Sequence, residues 1–189
     1  MVWSPEAIIE KEKRYLMQTY RRSRVVLNEG RGAIVKDLSG NEYIDCVGGI
    51  AVNAVGYCHP EVVNAVRAQA EKLMHVSNLY YTAPQVELAE QLAAISGMDK
   101  VFFCNSGTES IEAALKLACK VTGKHKFIAA EGCFHGRTLG SLSVTFESKF
   151  RNAFEPLLLK GVQFVRYNDA EAIRKAIDDE IAAVILEPI

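Results

Sequence analysis

The chain has no excess of charge of either sign: 22 Lys and Arg stand against 23 Asp and Glu over 189 residues, a formal net charge of -1. A dedicated nucleic-acid binder carries a marked positive surplus, so that class is excluded. The one basic knot, Arg21, Arg22 and Arg24, is small enough to be solvated surface or internal ion pairing. The chain also has no C-x-x-C pair; Cys46, Cys58, Cys104, Cys119 and Cys133 are scattered and odd in number. Neither a zinc site nor a disulfide framework suits that spacing, and reduced thiols in a cytoplasmic protein are expected, with no metal. No stretch approaches the roughly 20 apolar residues of a membrane span, and no apolar signal core follows the charged N-terminal segment. A soluble protein with no membrane partner is expected. Internal repeats and low-complexity tracts are missing, as are a Gly-rich dinucleotide fingerprint and a Walker loop.

What the chain does have is apolar material in ordered patterns, 49% of its residues being hydrophobic. Residues 5–20 have a helical composition, and a hairpin follows, with strands 33–37 and 42–46 about the turn Leu38-Ser-Gly-Asn41. Gly48, Gly49 and Gly56 mark a loop that bends tightly or lets another group approach closely. Pro60 opens one helix, and Thr82-Ala-Pro84 opens another that ends near Gly97. Beyond residue 100 short apolar runs alternate with amphipathic ones. Strands are expected at 101–104, 126–130, 163–167 and 182–186, and helices at 110–122 and 170–178. Residues 143–164 give no clear reading. That alternation points to an α/β fold with a mostly parallel sheet covered on both faces.

The chemistry gathers at the carboxyl ends of those strands, where open α/β folds bind ligands. Cys104-Asn-Ser-Gly-Thr-Glu109 joins an apolar run to a helix, with Ser106 and Glu109 at capping-box spacing. The helix dipole, a glycine that permits close approach, and the hydroxyls of Ser106 and Thr108 suit a phosphate dianion. The same residues also suit a plain helix cap. Phe134 and His135 offer flat faces to an aromatic ring, and Arg137 can grip a carboxylate bidentately. A packed loop histidine and an ordinary ion-pair arginine are the alternatives. A further strand delivers Glu187 to the same edge. The convergence of a phosphate cradle, an aromatic-plus-Arg loop and a carboxylate favours a small phosphorylated cofactor over a nucleotide. A non-catalytic α/β module that binds a phosphorylated ligand remains open.

Asn105-Ser-Gly-Thr-Glu-Ser-Ile-Glu-Ala-Ala-Leu-Lys116 resembles the phosphate-loop signature of class III pyridoxal-phosphate-dependent aminotransferases. Phe134-His-Gly-Arg-Thr-Leu-Gly-Ser-Leu-Ser143 resembles their ring-binding loop, and Leu186-Glu-Pro-Ile189 the start of their Glu-Pro-Ile-Gln-Gly segment. Gly49-Ile-Ala-Val-Asn53, Gly56-Tyr-Cys-His-Pro60 and Ser77-Asn-Leu-Tyr-Tyr-Thr-Ala-Pro-Gln85 are similar to the acetylornithine branch of that family. The resemblance implies the aspartate-aminotransferase-like fold, PLP-dependent fold type I, with residues 1–55 the N-terminal part of a small domain. Residues 56–189 are then the first portion of the large cofactor-binding domain, in a chain that stops short of the whole protein. It implies pyridoxal 5'-phosphate as cofactor, held by Ser106, Gly107, Thr108, Phe134, His135 and Glu187, with Arg137 and Tyr20 facing substrate.

Its implied reaction transfers an amine between N2-acetylornithine and 2-oxoglutarate, giving N-acetylglutamate 5-semialdehyde and glutamate, a step of arginine biosynthesis. Its implied partners are thus a small amino donor and a 2-oxo acid acceptor, in a homodimer with sites at the interface. Ornithine δ-aminotransferases place a tyrosine where this chain has Ile50, which favours the acylated substrate. A 4-aminobutyrate, ornithine or carrier-linked lysine aminotransferase stays open. No catalytic residue is expected within the chain: the Schiff-base lysine and the aspartate facing the pyridine nitrogen both fall beyond Ile189. Lys116 and Lys120, four apart on a helix, read as its solvent face. Lys124 and Lys126 flank a strand start at the sheet edge opposite the site.

Overall fold

The computed structural model describes residues 3–188, so Ile189, which closes the third motif, lies outside the described residues. The chain divides into two compact units, residues 1–81 and 82–189.

The first unit opens on α1, Pro5–Tyr15, capped by Ser4, whose Oγ accepts the Ala7 N–H at 3.2 Å. The helix stops five residues short of the expected end because Leu16 turns extended, φ -108° and ψ 142°. A three-stranded antiparallel sheet follows, β1 Leu27–Arg31, β2 Ile34–Asp37 and β3 Glu42–Ile44, in the order β1-β2-β3. The expected hairpin is β2-β3. Its turn is organised by Asp37, whose carboxylate accepts the N–H groups of Ser39 and Asn41, the Asn41 amide and the Tyr43 hydroxyl, each at 2.9 Å. Strand β1 escaped the sequence reading because Leu-Asn-Glu-Gly-Arg alternates no apolar residues. Among the Gly48 to Tyr57 turns, positive φ extends from Gly48 and Gly49 into Ile50 (57°) and Ala51 (63°). A left-handed conformation costs an L residue about 1–2 kcal/mol. Asp45 offsets part of that cost by accepting the N–H groups of Val47 (2.8 Å) and Gly48 (3.1 Å) and the Tyr57 hydroxyl (2.6 Å). Helix α2, Pro60–Ala70, follows with its proline in the first turn, and a 3-10 turn, Ser77–Leu79, comes after it.

The second unit begins with α3, Ala83–Ser96, ended by a left-handed Gly97, and continues to α4, Gly107–Thr122, ended by a left-handed Gly123. Strands β4 Lys126–Ala130, β5 Val162–Val165 and β6 Ile181–Ile185 form a parallel sheet in the order β5-β4-β6. The short helix α5, Leu139–Ser143, leads into the span without a clear sequence reading, which α6, Ser148–Arg151, and a 3-10 stretch, Asn152–Leu157, partly fill. Helix α7, Ala170–Ala176, precedes β6. The core lies on β4: Phe127, Ile128, Ala129 and Ala130 are all buried, which requires cover on both faces. Leu115 of α4 and Val144 complete the cluster on Phe127 and Ala129, with Ile111, Ala118 and Cys119 packed against it.

One expectation fails here. Residues 101–104 form no strand, and Phe102 is 70% exposed. An apolar run becomes a strand only when a neighbour supplies ladder partners, and none of the described residues does so. The parallel sheet therefore has three strands, not four. Helix α4 begins three residues before the expected 110, and the other element ends differ by one or two residues, which is ordinary fraying.

Candidate functional site

Because β4 and β6 are parallel, the loops after them emerge at one edge of the sheet, and α4 begins at that same edge. There an open cavity of about 750 Å3 is lined by Ser106, Gly107, Thr108, Phe134, Arg137 and Glu187, among others including His135. The seven residues expected from the second and third motifs and the phosphate loop are thus brought together. Tyr20 belongs to the first unit, where it lines a separate groove of about 460 Å3 with Ile8, Glu12 and Arg22.

The α4 terminus is shaped as an anion cradle. A helix leaves its first four N–H groups without internal partners, and here those belong to Ser106, Gly107, Thr108 and Glu109. Ser106 Oγ accepts the Glu109 N–H at 3.3 Å. The reciprocal arm of the expected capping box is displaced by one residue, the Glu109 carboxylate accepting the N–H of Asn105 rather than of Ser106. That leaves the first three N–H groups for a ligand. A Cβ added at Gly107 meets nothing within 4 Å, so the space beside these donors is empty of protein. An open pocket against unspent N–H groups at the positive end of a 16-residue helix fits a phosphoryl dianion.

The ring-bearing loop is held from two directions. Glu187 Oε2 accepts the Phe134 N–H at 2.9 Å, tying the β4 loop to the end of β6. Phe134 is 43% exposed and its ring packs edge-on to Phe150 at 5.9 Å. One step on, the His135 N–H donates to Thr145 Oγ1 at 3.0 Å, and that hydroxyl reaches the Gly136 carbonyl at 3.1 Å. Thr145 is fully buried. Gly136 has φ 135°, and a Cβ there would lie 2.5 Å from Ser141 Oγ, so only glycine lets the loop come this close to α5. Arg137 is exposed on the rim.

His135 is 7% exposed, and its Nε2 has no hydrogen-bond partner among the described residues. Burial lowers its pKa below the ordinary 6.5, with the Glu187 charge opposing in part. The folded protein thus refuses a proton that the unfolded chain accepts. Stability is complete above pH 6.5 and falls as pH drops from 6.5 toward the lowered folded value. We expect the urea midpoint of cofactor-free full-length protein to fall between pH 7.5 and 5.5, and the fall to be smaller in His135→Gln. An equal fall in both contradicts the assignment.

Sequence reasoning missed the polar group beneath the cradle. Thr108 Oγ1 lies 2.8 Å from Thr138 Oγ1 and 2.6 Å from Ser141 Oγ, and Thr138 in turn bonds Glu112. A signal was present: Glu112 follows Thr108 by four and precedes Leu115 by three, so a carboxylate sits on the helix's buried stripe. Lys116 and Lys120 are exposed on α4, as expected, and Lys126 pairs with Glu180 at the amino end of β4.

Residues 15–189 match the family model described as "Aminotransferase class-III". Acetylornithine aminotransferases from Methanosarcina acetivorans and Methanosarcina mazei are 61% and 60% identical over 184 residues, 97% of this chain and 47% of each relative. The chain thus spans about half the length of the curated relatives it matches. Among solved structures, an ornithine aminotransferase from Toxoplasma gondii, described with partial occupancy of PLP at its active site, superposes with a TM-score of 0.90. It is 31% identical, over 98% of this chain and 46% of that one.

Proposed function

The chain belongs to the class-III aminotransferase family, whose cofactor is pyridoxal 5'-phosphate, and from that membership we propose that the whole protein transfers an amine between N2-acetylornithine and 2-oxoglutarate. The products are N-acetylglutamate 5-semialdehyde and glutamate, as in arginine biosynthesis. The observation that carries the reading is the single cavity shared by the α4 cradle, Phe134, Arg137 and Glu187.

When bound, pyridoxal phosphate supplies an electron sink conjugated to the reacting carbon. The chain's own residues bind and orient. The N–H groups of Ser106, Gly107 and Thr108 hold the phosphoryl oxygens. Phe134 presents its ring face to the heterocycle, and Glu187 keeps that loop in place through the Phe134 N–H. His135 stays neutral beneath the loop. Arg137 holds the carboxylate remote from the reacting amine, which is the α-carboxylate of acetylornithine and the side-chain carboxylate of glutamate. The family resemblance alone assigns Tyr20 a contact with substrate. The proton-shuttling lysine and the aspartate facing the pyridine nitrogen come from the remainder of the protein.

In that whole protein residues 1–55 belong to the small domain and 56–189 to the large one. It works in the cytoplasm as a homodimer with sites at the interface. Among the described residues no helix is long and apolar enough to cross a membrane.

A substrate panel tests the reading. Full-length protein with pyridoxal phosphate and 2-oxoglutarate should turn over acetylornithine with a higher kcat/KM than ornithine, 4-aminobutyrate or a carrier-linked lysine. Residues 1–189 alone should give no turnover above the cofactor-only rate. Preference for another donor overturns the substrate, and turnover by the fragment overturns the assignment of the lysine to the remainder.

A further inference from the structure

We propose that Glu112 is a positioning residue that turns the Thr108 hydroxyl inward, so that Thr108 meets the phosphoryl group through its backbone N–H alone. This deepens the pyridoxal phosphate reading above and rests on it.

The inference comes from counting protons. Three hydroxyls, on Thr108, Thr138 and Ser141, form a triangle with edges of 2.8 Å (Thr108 to Thr138), 2.6 Å (Thr108 to Ser141) and 2.9 Å (Thr138 to Ser141). Each hydroxyl has one proton to give. Thr138 gives its proton to Glu112 Oε1, since an ionised carboxylate only accepts. The same oxygen accepts the N–H groups of Gly140 at 2.9 Å and Ser141 at 3.1 Å. Two protons then remain for the three edges. If Thr108 donated outward, a single proton would serve all three, and two oxygen pairs within 2.9 Å would face each other through lone pairs. Keeping the Thr108 proton inside leaves only one such edge when Ser141 also donates within the triangle; when Ser141 donates to the Thr138 carbonyl at 3.2 Å instead, an inward Thr108 leaves two and an outward one leaves all three.

The arrangement is tightly built. A Cβ at Gly140 would lie 2.8 Å from Glu112 Cδ, so the α5 loop closes directly onto this carboxylate. Glu112 therefore connects the two halves of the cavity: α4 with its cradle, and the loop that carries Arg137 and Thr138. Without it Thr138 keeps its proton for the triangle, the Thr108 hydroxyl is freed to rotate, and the α5 loop loses two backbone anchors.

The test uses full-length protein and spectroscopic titration with pyridoxal 5'-phosphate and with pyridoxal, which lacks the phosphate. Thr108→Val retains the backbone N–H and should bind pyridoxal phosphate within about threefold of the parent, whereas Glu112→Ala should bind it about tenfold more weakly. The Glu112→Ala loss should fall on the phosphate-dependent part, narrowing the preference for pyridoxal phosphate over pyridoxal. Glu112→Gln, whose amide oxygen can accept the same three bonds, should restore most of the affinity even if the alanine variant folds poorly. A large loss in Thr108→Val shows that its hydroxyl donates to phosphate and overturns the proposal. So does an unchanged preference in Glu112→Ala, or failure of Glu112→Gln to recover affinity. If Gly107→Trp leaves pyridoxal phosphate affinity intact, the underlying site reading fails; if only the Glu112 variants behave like the parent, this inference alone fails.

Discussion

Replacing Gly107 with tryptophan in the full-length protein should weaken pyridoxal phosphate binding by about 100-fold, because charge-assisted hydrogen bonds contribute roughly 1.5–3 kcal/mol each. The substitution is informative because its cost falls on binding and not on folding. Gly107 is the first residue of α4 and its backbone is not left-handed, so any L residue fits there. A Cβ meets no atom within 4 Å, so the first atom of an added side chain is accommodated and the rest extends into the space assigned to the phosphoryl group. Gly107→Ala adds one methyl and should cost less than Gly107→Trp, giving a graded series. The check is a titration of cofactor absorbance alongside thermal unfolding of the cofactor-free protein. Unchanged affinity in a folded Gly107→Trp variant removes the phosphate from the α4 terminus.

Arg137→Ala has the second largest expected effect, and it should fall on substrate. Losing a bidentate carboxylate contact should lower kcat/KM for acetylornithine and for glutamate by about 100-fold, with cofactor affinity within about twofold of the parent. The selectivity follows from how the residue is held. On one side Thr145 fixes the backbone at His135 and Gly136, and on the other Glu112 fixes Thr138 and Gly140. These backbone anchors do not involve the guanidinium, and Phe134 is anchored separately by Glu187. Arg137→Lys should recover little, since a point charge cannot reproduce the planar fork. Steady-state kinetics with acetylornithine and with an amine lacking the second carboxylate separate the outcomes. Equal loss for both substrates contradicts the role.

Local signals carried most of the helix boundaries in both units. Pro60, Gly97 and Gly123 mark helix boundaries because proline and glycine act through the backbone itself, whatever surrounds them. The run Lys126–Ala130 was legible as a buried strand because all but its first residue are apolar. Val101–Cys104 carries the same signal and forms no strand, since pairing depends on a neighbour that a local window cannot supply. Strand β1 shows the converse: a polar segment becomes a strand because β2 offers it a ladder. In the cavity, the phosphate loop and the Phe134 to Arg137 segment were readable from residue types at strand ends. The hydroxyl triangle was not, because Thr108 and Ser141 stand 33 residues apart and only the fold joins them. Thr145 was equally hidden: a threonine in an unpatterned stretch gives no sign that it is fully buried and bonded to His135.

The most direct test of where the phosphate sits is an electron-density map of the full-length protein crystallised with its cofactor. Phosphoryl oxygens within about 3 Å of the amides of Gly107 and Thr108, with the pyridine ring stacked on Phe134, are the expected result. Density for the cofactor at any other place, or a phosphoryl group turned away from the start of α4, contradicts it.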